Sequence, residues 1–218
     1  MKTMSQRMLC TTASIIIDRL EHEYPDAHCA LIHENPFQLL IATILSAQCT
    51  DERVNIVTRT LFKKYPSPKE FADVAIEELE RDIYSTGFYK AKAKNIQACC
   101  RQLIERFDSV IPQTMDELHS LPGVGRKTAN VVLGNAFGIA AGVTVDTHVT
   151  RICSLLGLTT GKNPEAIEQE LMVIIPQEKW TGFTHLIISH GRKICIARRP
   201  KCSECVLSDT CPSSLDKK

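Results

Sequence analysis

Apolar residues recur along this chain at spacings of three and four, with almost no sustained period-two alternation. That pattern predicts helices throughout and an all-α fold. Start and stop signals then cut it into elements. An amphipathic run over residues 8–24 ends at Tyr24-Pro25. Asn35-Pro36 supplies an N-cap and a first-turn proline for a buried helix, Phe37–Ala47. Thr50 caps the next, with Val54, Val57 and Leu61 inward, and Ser67-Pro68 with Glu70 forms a capping box. Helical runs are predicted at 76–85 and 90–107. Thr114 with Glu117 reads as a second capping box, starting a short helix that Pro122, Gly123 and Gly125 break. Another helix resumes at once, with Ala129, Val132, Leu133, Ala136 and Phe137 on one face, and closes at Gly138. Asp146 stands before a run of Val149, Ile152, Cys153 and Leu156 that ends at Gly157. Asn163-Pro164 opens one more helix, and Gln177–Lys193 reads as the last long one.

The turn LPGVG within Thr114–Arg151 is the most informative stretch. Two helices meet there in a tight hairpin. Gly123 and Gly125 lack a Cβ, so the N–H groups opening the second helix can approach another molecule closely. A helix start with open N–H groups attracts anions, phosphate above all. Arg126 and Lys127 fall in that first turn, where a cation opposes the helix dipole by about 0.3–1 kcal/mol. A solvated surface pair is the plain reading. Beside a phosphate-sized backbone pocket, Arg126 suits phosphate and the Lys127 amine suits nucleophilic attack. Asp146 is explained locally as an N-cap, yet a carboxylate held rigid at a helix start can also act on chemistry.

Composition narrows the classes. A chain of 218 residues buries a sizeable core in one domain or two small ones. Its net charge of +1 leaves any nucleic-acid binding to local patches. Ile15–Ile17 is the only tight apolar cluster near the start and Asp18 follows it, which speaks against a signal peptide. The longest apolar stretch, Phe37–Cys49, holds Gln38, Thr43, Ser46 and Gln48 and is too short to span a bilayer. Ten cysteines without secretory signals point to a reducing compartment, hence a cytoplasmic protein with metal or free thiols.

Four of those cysteines, Cys195, Cys202, Cys205 and Cys211, are spaced C-x6-C-x2-C-x5-C within seventeen residues. With Pro200 and Pro212 beside them and little apolar filling, the segment needs a cross-link to hold its shape. Cys₄ takes either zinc or an iron–sulfur cluster, and spacing alone leaves both open. Five cations and no acid lie between 192 and 201: Arg192, Lys193, Arg198, Arg199 and Lys201. Pinned by a metal centre, such a run suits phosphate contacts better than a loose charged tail. The other six, Cys10, Cys29, Cys49, Cys99, Cys100 and Cys153, read as small buried hydrophobes. His148 suits either an orienting or a structural role, and His185 and His190 read as structural.

LPGVGRKTAN followed by VDTHVTR resembles endonuclease III, a family of DNA glycosylases and abasic-site lyases in the helix-hairpin-helix superfamily. The resemblance runs over nearly the whole chain. It implies that Lys127 and Asp146 are catalytic and that the four cysteines hold a [4Fe–4S] cluster. It implies two lobes flanking a cleft: a helical barrel over 29–139, and a cluster domain made of 1–28 plus 140–218. SAQCTD at 46–51 matches the family stretch whose glutamine enters the duplex, which falls on Gln48. The turn at Thr86–Tyr89 matches the second wedge, with Phe88 where the family usually has leucine. Lys90, Lys92 and Lys94 beyond it suit either phosphate contacts or a solvated face.

The expected partner is double-stranded DNA carrying damaged bases or abasic sites, bound through Gln48, Phe88, Gly123, Gly125, Arg126, Arg198, Arg199 and Lys201. The expected protein is a monomer without membrane contact that removes damaged, oxidised pyrimidines and nicks the abasic strand. Three rivals remain: a monofunctional mismatch glycosylase of the same superfamily, which lacks this lysine, a DNA-binding module without catalysis, and a zinc-stabilised helical adaptor.

Overall fold

Side-chain caps set most helix boundaries in the computed structural model, which describes residues 5–216. Among the described residues there are eleven α-helices, three short 3₁₀ turns and no strand. Ser5, Asn35, Thr50, Thr114, Asp146 and Asn163 each accept a hydrogen bond from a backbone N–H in the first turn of the helix that follows. Ser67 completes its capping box with Glu70. Thr114 does not: its Oγ1 accepts from the Glu117 N–H, but the Glu117 carboxylate takes the Thr114 hydroxyl instead of the backbone N–H.

Contacts divide the chain into two compact units, Cys29–Ala141 and Met1–His28 with Gly142–Lys218. The first unit is built from α2 (Pro36–Leu45), α3 (Asp51–Lys64), α4 (Pro68–Asp73), α5 (Ile76–Asp82), α6 (Tyr89–Phe107), α7 (Met115–His119) and α8 (Arg126–Phe137). Its centre is α2, where eight of ten residues are buried and which packs on α3, α6 and α8. Phe37, Tyr65 and Phe71 stack beside it, ring centroids 5.1 and 5.7 Å apart. The helix stops two residues short of the predicted Ala47, in a turn that carries Gln48 at φ +53°. The predicted run at 76–85 divides into α5 and a 3₁₀ turn, Tyr84–Thr86.

In the second unit, α1 (Gln6–Glu23) lays Ala13, Ile16, Ile17 and Leu20 against α10 (Pro164–Ile174) and α11 (Trp180–Lys193). α9 (Thr147–Leu155) packs on α11 through Val149, Ile152 and Cys153. The predicted Gln177–Lys193 helix begins as a 3₁₀ turn, Gln177–Lys179, after Pro176. Only Cys99, Cys100 and Cys153 behave as the expected buried hydrophobes, and burial pushes their thiols well above the ordinary range. Cys10, Cys29 and Cys49 are half-buried. No helix among the described residues is long and apolar enough to cross a membrane.

The link from α9 to α10 is tied by one carboxylate. Glu170 accepts from the Thr159 hydroxyl and from the N–H groups of Thr160 and Gly161 at 2.8 and 3.2 Å. The Thr159 hydrogen bond is the main cause holding its pKa below the ordinary glutamate value. A carboxylate depressed in the folded state stabilises fully above its unfolded value, about 4.3, and that stabilisation is lost as pH falls through the folded value. Glu170→Gln is expected to cost roughly 1 kcal/mol at pH 7, discounted for partial exposure. The difference in urea midpoint between parent and variant is expected to narrow as pH falls below about 4. A difference independent of pH would show that the charge contributes nothing.

Candidate functional site

The hairpin joining α7 to α8 is fixed from below. Leu118, Leu121, Val124 and Ala129 are buried in the core of the first unit. Gly123 turns the chain at φ +77°, and a Cβ there would meet Asn95 Cβ of α6 at 2.9 Å. Two independent constraints therefore require glycine at 123. Gly125 differs: its φ of −84° suits any residue, and a Cβ built on it meets nothing within 4 Å. The fold itself does not need a bare backbone there; a molecule approaching from outside would. Gly125 is the N-cap of α8 and has no side chain to claim the first N–H groups, so the helix presents them at the surface. Lys127 is exposed in this first turn and Arg126 is half-buried beside it.

Two further predicted residues lie in the same unit. Gln48 and Phe88 are both exposed, and both hold left-handed backbone, at φ +53° and +47°. Phe88 is 65% exposed, so it is not an ordinary core phenylalanine. Of the three lysines beyond it, Lys90 and Lys94 are exposed, but Lys92 is buried, contrary to the expectation of a phosphate or solvent contact.

In the other unit, Asp146 begins α9, its Oδ1 accepting from the Val149 N–H at 2.8 Å and leaving Oδ2 outside the cap. His148 is half-buried and packs against Gly191, where any Cβ would clash with its ring. The cysteine segment follows α11. Cys195, Cys202, Cys205 and Cys211 line one cavity of about 290 Å³, beside Arg151 and His190. Arg151 Nη1 lies 3.5 Å from Cys195 Sγ, and the Leu207 N–H donates to Cys205 Sγ at 3.4 Å. His190 is buried, its Nδ1 3.0 Å from the Tyr24 hydroxyl and its Nε2 3.5 Å from Cys205 Sγ. Burial pushes this imidazole down to about 4, which keeps it neutral at ordinary pH. In the tautomer in which Tyr24 donates to Nδ1, the ring proton would sit on Nε2, facing the sulfur.

N–H donors aimed at sulfurs suit thiolates, the form in which cysteine binds metal. A single zinc draws four sulfurs to about 2.3 Å from one point. Four cysteines facing one cavity suit either such an ion or a multi-atom cluster. The basic run around them is partly engaged: Lys193 lies over the Tyr24 ring at 5.1 Å and Lys201 pairs with Glu204 at 3.7 Å. Arg198 and Arg199 are exposed.

This architecture defines a class. Residues 41–177 match the HhH-GPD superfamily of base excision DNA repair proteins, and the chain belongs to it as a helix-hairpin-helix repair enzyme. Residues 195–211 match the iron–sulfur binding domain of endonuclease III. The chain is 54% identical over 213 residues to endonuclease III of Synechocystis sp., covering 98% of this chain and 96% of that protein. It is 47% identical to endonuclease III of Bacillus subtilis over 89% of each. A trapped endonuclease III–DNA covalent intermediate superposes with a TM-score of 0.90 at 45% identity, covering 97% of both chains. The particular family is therefore endonuclease III, and the activity is that of a DNA glycosylase and abasic-site lyase in base excision repair.

The cofactor is accordingly a [4Fe–4S] cluster, and Cys195, Cys202, Cys205 and Cys211 are the residues that would hold it. When bound it supplies a rigid four-point cross-link to a segment with few apolar contacts of its own. Sequence reasoning missed Tyr24, Arg151 and the sulfur contact of His190, because nothing in their spacing marks them as neighbours of the cysteines. Cys202→Ser is expected to remove the broad visible absorbance of the purified protein and to lower its Tm by several degrees, since about 2 kcal/mol shifts a domain of this size by that much. A colourless parent protein carrying one zinc would contradict the assignment.

Proposed function

We propose that the chain excises oxidised pyrimidines from double-stranded DNA and then nicks the abasic strand, acting as a monomer in the cytoplasm. The observation that carries this reading is Lys127, an exposed amine in the first turn of α8, beside a glycine that packing leaves unconstrained. The trapped covalent complex of an endonuclease III with DNA supports a covalent route in this family. All ten cysteines are free of disulfides, in keeping with a reducing compartment.

In this reading the Lys127 amine attacks C1′ of the damaged nucleotide. The C1′–N bond breaks, and the base leaves with its electron pair and takes up a proton. The sugar ring opens to an imine between Lys127 and C1′. Loss of a C2′ proton then expels the 3′ phosphate by β-elimination, and water releases the lysine. Asp146 takes the proton that the lysine sheds and stabilises positive charge on the sugar. The uncapped N–H groups of α8, with Arg126, hold a DNA phosphate. Arg198, Arg199 and Lys201 add sequence-independent affinity. Because the sugar carbon is unreachable in a stacked duplex, the nucleotide is extruded, and Gln48 and Phe88 fill the space it leaves.

Lys127→Ala is expected to abolish nicking and borohydride trapping while binding to damaged duplex persists. Lys127→Arg is expected to fail equally, because a guanidinium stays protonated and cannot attack. Asp146→Asn is expected to slow base release by about 10²-fold or more yet leave α9 capped, since asparagine caps as well as aspartate. A Lys127→Ala protein that nicks at the parent rate would overturn the assignment.

A further inference from the structure

Lys92 is only 5% exposed, an unusual place for a lysine. Its ammonium donates to two main-chain carbonyls, Leu45 O and Thr86 O, each at 2.8 Å. Leu45 is the last residue of α2 and Thr86 the last of the 3₁₀ turn before α6. One side chain thus caps two helix ends that are far apart in sequence. Gln48 stands three residues beyond the first carbonyl and Phe88 two beyond the second.

Those two positions share a second property. Among the described residues four non-glycine residues have positive φ: Gln48, Phe88, Asp108 and Ser109. Asp108 and Ser109 close the C-terminal end of α6, where left-handed backbone is routine. Gln48 and Phe88 lie outside any helix C-cap of that kind. Left-handed backbone at such residues costs about 1–3 kcal/mol and persists only where the surroundings over-determine it. The Lys92 ammonium bonds a main-chain carbonyl within three residues of each. Burial pushes its pKa below the ordinary lysine value, so retaining it there has a cost of its own.

We propose that Lys92 is a positioning residue for nucleotide extrusion: its ammonium ties the α2 terminus to the 84–86 turn and so sets the register between Gln48 and Phe88. The proposal rests on the wedge role given above to those two side chains. Lys92 touches no substrate in this scheme. It acts by holding two strained loops at a fixed separation before DNA arrives, which lowers the cost of ordering them on the duplex.

Lys92→Met keeps most of the apolar stem and removes the donors. The test uses the cluster-loaded full chain and a duplex with 2-aminopurine beside an oxidised pyrimidine. Stopped-flow fluorescence reports extrusion, single-turnover base release reports excision, and nicking of an abasic single strand reports the lysine chemistry without a duplex to open. Lys92→Met is expected to slow the first two by about 10- to 100-fold and to leave single-strand nicking at the parent rate. Lys92→Arg, which still reaches both carbonyls with a cation, is expected to recover most of the loss. Equal slowing of all three steps would overturn the proposal in favour of a general structural role. Unchanged extrusion in Lys92→Met, while Gln48→Ala and Phe88→Ala slow it, would overturn it and leave the wedge reading standing. If Gln48→Ala and Phe88→Ala leave extrusion unchanged, the wedge reading fails and takes the proposal with it. Should Lys92→Met not fold, Lys92→Gln, whose shorter amide spans one carbonyl only, is read against the same outcomes.

Discussion

A single steric constraint underlies the hairpin: no side chain fits between residue 123 and Asn95. Gly123 must be both left-handed and bare, which locks the turn onto α6 and fixes where α8 begins. Buried Leu118, Leu121, Val124 and Ala129 hold the two arms, so the direction of α8 is set by the core and not by a loop. From that start follow the exposed Lys127, the half-buried Arg126 and a helix start that no N-cap side chain closes. An amine in the role proposed for Lys127 gains from such rigidity, because a displacement near 1 Å can cost about 10²-fold in rate.

Most of the fold was legible because its punctuation is local. Asn35-Pro36, Thr50, Ser67-Pro68, Asp146 and Asn163-Pro164 each cap their own helix through contacts within four residues. Where a boundary depends on tertiary contacts, the pattern misled. α2 stops at Leu45, whose carbonyl is taken up by Lys92 forty-seven residues away, and no local signal records that. The Thr114 box looked identical to the Ser67 box, yet its glutamate turned to the hydroxyl. The hairpin and the four cysteines stood out by their spacing, whereas Lys127 and Asp146 read locally as a surface cation and an N-cap and were singled out by the family resemblance. Lys92 did not stand out: between Lys90 and Lys94 it reads as one of three surface cations, and only burial distinguishes it.

The two units present different solutions to holding polar chemistry on a helical scaffold. In the first, a glycine turn and one buried ammonium fix the backbone. In the second, Asp146 caps a helix while the cysteine segment depends on its cofactor, with Arg151, His190 and the Leu207 N–H directed at its sulfurs. The Tyr24–His190–Cys205 chain of contacts also ties α1 to that segment, so the N-terminal helix and the cluster loop support each other.

In the proposed chemistry one amine, placed by the hairpin, forms the covalent link to DNA. Its most direct test is to reduce the complex with borohydride, digest it, and locate the sugar-derived adduct by peptide mass spectrometry. The expected result is a single modified peptide with the adduct on Lys127. An adduct on another lysine or on the N-terminal amine, with Lys127 unmodified, would contradict the account.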